Sequence, residues 1–153
     1  MKISWPKLAV CIILSLLAGV IGGLFTKTDA GSWYFAIAKP SFNPPNWVFG
    51  PVWTLLYILM GISLYLAISH GAKKKAKILF GTQLALNTLW SIIFFGMETP
   101  LLAFICIVML WLAILLTIIE FWKTSRTAAY LLIPYICWVT FASALNIAIV
   151  LLN

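Results

Sequence analysis

Charge is scarce in this chain: 8% of its 153 residues are Asp, Glu, Lys or Arg, and Asp29, Glu98 and Glu120 are the only acids. Soluble domains carry about a quarter charged residues, so an ordinary water-facing surface cannot be built from this composition. Histidine occurs once, as His70, in a lysine-rich stretch with no carboxylate pair beside it. Conventional acid–base hydrolysis and metal catalysis therefore lack their usual groups, and no metal ligands are assigned. The three cysteines, Cys11, Cys106 and Cys137, are odd in number and far apart within apolar stretches. That is the pattern of small packing residues, not of a disulfide framework or a zinc site. No ionisable residue lies deep in a long apolar run and no internal repeat divides the chain, which argues against an ion-coupled, alternating-access pump.

What is abundant is apolar surface, at 64% of residues. Five stretches, at about residues 8–25, 47–69, 78–96, 101–122 and 128–152, approach or exceed the roughly 20 residues that span a bilayer. The expected fold class is an all-α integral membrane protein, a bundle of five transmembrane helices forming one domain over residues 1–153. The first apolar run is long for the core of a cleaved signal peptide, and no convincing A-x-A site follows it. The net charge of +7 comes from residues at segment ends. Lys2, Lys7, Lys73, Lys74, Lys75, Lys77, Lys123 and Arg126 fall on one side and Lys27 and Lys39 on the other, so the positive-inside rule predicts a cytoplasmic amino terminus and an external Asn153. Topology thus accounts for the charge, and no nucleic-acid partner is implied.

Within this frame the patterning is specific. The long first connection, residues 26–46, is apolar and proline-rich, and reads either as a lid over a pocket or as a structural cap. Ser15, Gly19 and Gly23 recur every four residues, a small-residue stripe that admits another helix of this chain or of a second copy. Pro51 is expected in the first turn of the second span, where it costs little, and Trp53, Tyr57 and Gly61 then share one face. Gln83, Asn87 and Ser91 form a polar stripe on the third span, suited to interhelical hydrogen bonds or to orienting a ligand. In the fifth span Trp138, Ala142 and Leu145 share a face, and a bend at Pro134 would open space beside Trp138. Plain core packing of Trp138 is equally consistent with that spacing.

Eight tryptophans in so aliphatic a chain call for explanation. Tryptophan favours the membrane interface, so mid-span positions such as Trp90 and Trp138 imply either helix packing or a flat apolar ligand. With no acid–base site, any chemistry would be carried by the ligand itself, held or oxidised beside indole rings.

Four separated motifs then bring a family into view: Lys39-Pro-Ser-Phe-Asn-Pro-Pro-Asn-Trp47; Pro51-Val-Trp53 through Tyr57 and Met60-Gly61; Gln83-Leu-Ala-Leu-Asn87 with Trp90 and Phe94-Phe95-Gly96; and Pro134-Tyr135 with Trp138, Phe141, Ala142 and Leu145-Asn146. In this order they resemble the translocator protein family, also called tryptophan-rich sensory proteins or peripheral-type benzodiazepine receptors, over nearly the whole chain. The resemblance implies a five-helix bundle, commonly dimeric, that binds porphyrins and haem as ligands or substrates, with no intrinsic cofactor, and also benzodiazepine- and isoquinoline-type compounds. Some bacterial members are associated with light-dependent breakdown of protoporphyrin. Positions matching the family pocket are Trp47, Gly50, Trp53, Asn87, Trp90, Trp138, Ala142 and Leu145, of which Trp47, Trp53 and Trp138 are expected to stack on or react with a tetrapyrrole. The other function it implies is a non-catalytic porphyrin or sterol transporter or sensor that regulates tetrapyrrole or stress responses. Animal members carry a Leu/Val, Tyr, Lys/Arg sterol motif after the final Asn; here Asn146 is followed by Ile147-Ala-Ile-Val-Leu-Leu-Asn153, without the Tyr or the cation. High-affinity sterol binding is therefore not expected, and the location expected is a bacterial cytoplasmic membrane.

Overall fold

A computed structural model describes residues 2–153. Five of its helical segments are long and apolar enough to cross a membrane: Trp5–Gly23, Asn46–Ser69, Lys74–Gly96, Pro100–Trp122 and Arg126–Leu152. The first is helix α1. The first connection contains a short helix α2, Trp33–Ala36, and ends in a 3-10 turn, Asn46–Val48, leading into α3, Phe49–Ser69. Then come α4, Lys74–Ser91, which runs into a π-helical turn Ile92–Gly96, and α5, Pro100–Trp122. A short α6, Arg126–Tyr130, and the long α7, Ile133–Leu152, complete the chain.

Prolines and glycines set these boundaries. Pro6, Pro51, Pro100 and Pro134 each lie within the first three positions of a helix, where a missing N–H leaves no bond unmade. The fifth span is divided into two helices close to Pro134, where the sequence suggested a bend. The carbonyl that Pro134 cannot serve belongs to Tyr130, and α6 ends there. Between α3 and α4 the chain reverses in a few residues: Gly71 takes φ +83°, its N–H donates to Ile68 O, and Ala72 N–H donates to Ala67 O at 2.9 Å. This Schellman arrangement closes α3, and glycine is the residue that adopts its left-handed position without strain.

In lipid there is no hydrophobic drive between helices, so small residues govern how close the backbones come. α1 lies against α3 and α4, α4 against α5, α5 against α7, and α6 against α3. A side-chain atom at Gly61 would meet the backbone of Ile12, and one at Gly19 would meet the ring of Tyr57. Gly22 touches Ser91. The α1 stripe is thus satisfied within the chain, through Ser15, Gly19 and Gly22, while Gly23 faces open space. Leucines and isoleucines of α1 and α5, such as Leu14, Leu17, Ile105 and Leu116, point outward as a lipid-facing surface.

A buried polar chain ties three helices together. Tyr57 Oη donates to Asn87 Oδ1 at 2.5 Å, Asn87 Nδ2 donates to Tyr135 Oη at 2.8 Å, and Tyr135 Oη donates to Gln83 Oε1 at 2.8 Å. Each buried group thereby has a partner, which is the condition for keeping polar atoms in a membrane interior. The stripe of Gln83 and Asn87 serves interhelical bonding.

Candidate functional site

On the side of the bundle carrying the long connection, the helices part around a cavity of about 540 Å³. α1 contributes Gly19 and Gly23, α3 contributes Phe49, Gly50, Trp53 and Tyr57, α4 with its π turn contributes Trp90 and Phe94, and α7 contributes Trp138, Ala142, Leu145 and Asn146. The volume falls within the roughly 300–1,000 Å³ typical of small-molecule sites. Phe94 lies in the π-helical turn, whose Met97 N–H reaches back to Ile92 O at 2.9 Å. Such single π turns occur often at functional sites.

The walls are aromatic and braced. Trp53 stacks on Tyr57 at 5.8 Å between ring centroids and meets Tyr135 edge-on at 6.3 Å. Trp138 is edge-on to Phe49 at 6.1 Å and also touches Phe141. Trp90 stacks on Phe94 at 5.3 Å. Its indole N–H donates to Asn146 Oδ1 at 3.0 Å, while Asn146 Nδ2 donates to Pro100 O at 2.8 Å. The indole N–H of Trp138, by contrast, is buried without an acceptor among the described residues. A buried donor left unpaired costs about 1–3 kcal/mol.

The first connection roofs this space. Trp33 packs edge-on against Phe94 and Tyr34 packs against Phe95. Tyr34 Oη donates to Asn43 Oδ1 at 3.1 Å, and the Lys39 ammonium sits 4.9 Å from the Tyr34 ring centre. Burial pushes the Tyr34 phenol above its ordinary value, against the opposing bond with Asn43, so it remains a neutral donor. Two clasps fix the roof: Asn46 Nδ2 donates to Thr28 O, and the Asn153 side chain pairs with both the N–H and the C=O of Ala38 at 3.0 Å.

Of the eight positions marked in the sequence, the structure gathers Trp47, Gly50, Trp53, Trp90, Trp138, Ala142 and Leu145 around this one cavity. Trp47 stands at the rim, 75% exposed. Asn87 does not reach the wall; its amide is engaged in the buried chain behind Tyr57. Asn146, Phe49 and the roof residues Tyr34 and Asn43 were not singled out as site residues, although they line it. Asn146 lies in a quoted motif and one turn from Ala142, a signal that was present; the roof's contacts are long-range and leave no periodic trace.

Fold and cavity together define an integral membrane protein: five apolar spanning helices enclosing an aromatic chamber beneath a structured loop. The TspO/MBR family matches residues 11–152, and the chain belongs to that family. It is similar to the tryptophan-rich protein TspO of Chlorobaculum tepidum, 47% identical over 150 residues covering 95% of each chain. To the protein of the same name in Archaeoglobus fulgidus it is 48% identical over 149 residues, 96% of this chain and 97% of the other. The human translocator protein is 37% identical over 131 residues, 82% of this chain and 78% of its own.

Proposed function

We propose that this protein binds a planar tetrapyrrole of the protoporphyrin or haem class in the roofed cavity. The observation that carries the reading is the meeting of Trp53, Trp90 and Trp138 from three helices around one space. Flat rings gain from stacked and edge-on contact with indoles, about 0.5–1.5 kcal/mol per pair beyond area burial. Benzodiazepine- and isoquinoline-type compounds are flat and weakly polar, and suit the same walls.

The cavity contains no acid–base pair, so light-driven oxidation of a bound porphyrin would rest on the pigment's own excited state and on Trp53 and Trp138 beside it. Transport or sensing would use the same walls without conversion. We place the amino terminus on the cytoplasmic side of a cell's inner membrane, because the lysine-rich connections lie at that end.

The test is a titration of protoporphyrin into protein held in bilayer discs, in the dark and then under light. Saturable binding with a shifted pigment spectrum is expected; partition that rises without limit, as in empty discs, overturns the proposal. Under illumination, loss of pigment that is slower per bound porphyrin in Trp138→Phe than in the unaltered protein supports photo-oxidation. Unaltered pigment selects carriage or sensing.

A further inference from the structure

The charge of this molecule is placed at one end. The amino-terminal end carries Lys2, Lys7, four lysines within residues 73–77, Lys123 and Arg126 against the single carboxylate of Glu120. At the roof end Lys27 and Lys39 are matched by Asp29 and Glu98, so the whole net charge of +7 belongs to the other end. Between the α3–α4 turn and the last turn of α5 that end holds a second cavity, about 360 Å³, lined by His70, Lys73, Glu120, Lys123 and Thr124 among others.

The local design there is electrostatically one-sided. α4 begins with no side-chain cap and no acidic residue in its first turn. Its unpaired amides and the positive end of its dipole instead meet Lys73, Lys74, Lys75 and Lys77, which that dipole repels. Glu120 relieves part of this, accepting from Lys123 at 2.7 Å and from Lys75 at 3.1 Å. One carboxylate shared by two lysines leaves Lys73 and the helix end uncompensated. At this end of the bundle Ile78 on α4 and Ile119 and Trp122 on α5 are exposed, and the Arg126 guanidinium lies 5.6 Å over the Trp122 ring. A basic concavity on helices that also carry exposed apolar residues suits a headgroup with its acyl chains attached.

We infer that this pocket takes the phosphate of an anionic phospholipid, with Lys73 and Lys123 as its cations, the Thr124 hydroxyl as a donor, and the start of α4 contributing its dipole. Glu120 does not bar the phosphate, because its charge is already held between Lys75 and Lys123. The site is separate from the tryptophan cavity, so the proposal stands or falls independently of the tetrapyrrole reading.

The experiment is to take the protein from discs of equal phosphatidylcholine and phosphatidylglycerol and measure the lipid it retains by native mass spectrometry. Enrichment of phosphatidylglycerol is expected, with its retention falling about fivefold in Lys73→Gln and again in Lys123→Gln. Lys73→Arg should retain it, and Lys27→Gln at the roof end should leave it unchanged. Lys123 also holds Glu120, so if Lys123→Gln fails to fold, Lys73→Gln, which breaks no ion pair, carries the test alone. A second arm adds inorganic phosphate to the lipid-loaded protein. Displacement of the lipid by low millimolar phosphate would assign the site to the free ion and overturn the lipid proposal. Equal retention of both lipids, or equal losses in Lys73→Gln and Lys27→Gln, would overturn it outright.

Discussion

Trp90 and Asn146 face each other across α4 and α7, the indole N–H donating to the amide oxygen at 3.0 Å. The same amide donates to Pro100 O at the start of α5, so one side chain orients a cavity wall and joins three helices. Asn146→Leu leaves both the Trp90 N–H and the Pro100 carbonyl without this partner. A loss of about 1–3 kcal/mol in stability is expected, with porphyrin affinity weakened as well. Reversible unfolding in mixed micelles and a dark titration on the same sample read both effects.

One of the two clasps on the roof is Asn153, which pairs with both backbone groups of Ala38. Asn153→Ala removes these bonds at an exposed site and disturbs no buried packing. The expected outcome is little change in unfolding midpoint but faster ligand dissociation, by several-fold, in stopped-flow displacement. Unchanged dissociation would show that the roof does not gate the cavity.

The spans and their order were legible in the sequence because each is a long apolar run, and the start of α3 was legible from Pro51. What could not be read was the division of the last span at Tyr130, since it depends on how the turn at 131–132 settles against Pro134. The polar stripe of α4 showed the right face, but spacing does not say that Tyr57 and Tyr135 consume both ends of the Asn87 amide. Ser15 and Gly19 announced a close approach, yet only the fold shows that the stripe turns to Gly22 and leaves Gly23 to the cavity. Conversely, Trp53, Trp90 and Trp138 were visible from their mid-span positions, because an indole within lipid needs a reason to be there.

Orientation is checked by single cysteines placed at Lys74 and Met97, both exposed and at opposite ends of the third span, in a background without Cys11, Cys106 and Cys137. An impermeant thiol reagent on intact cells should label the Met97→Cys protein and spare Lys74→Cys until the cells are opened. The reverse pattern would invert the topology derived from the lysines.

The account's central claim is that ligand occupies the tryptophan-walled cavity, and Gly50 offers the most direct access to it. A Cβ at Gly50 would meet no neighbouring atom within 4 Å, and the residue lines the cavity. Gly50→Leu should therefore fold with a stability change of about 1 kcal/mol or less while intruding on the bound ligand. Gly61→Leu, which would press on the Ile12 backbone and does not line the cavity, should instead lose stability. The decisive measurement is the protoporphyrin dissociation constant of Gly50→Leu against the unaltered protein, in the dark and in bilayer discs. The account predicts at least about a tenfold weakening, equivalent to 1.4 kcal/mol, with the fold intact. An unchanged constant in a properly folded Gly50→Leu protein would contradict it, and would place the pigment elsewhere.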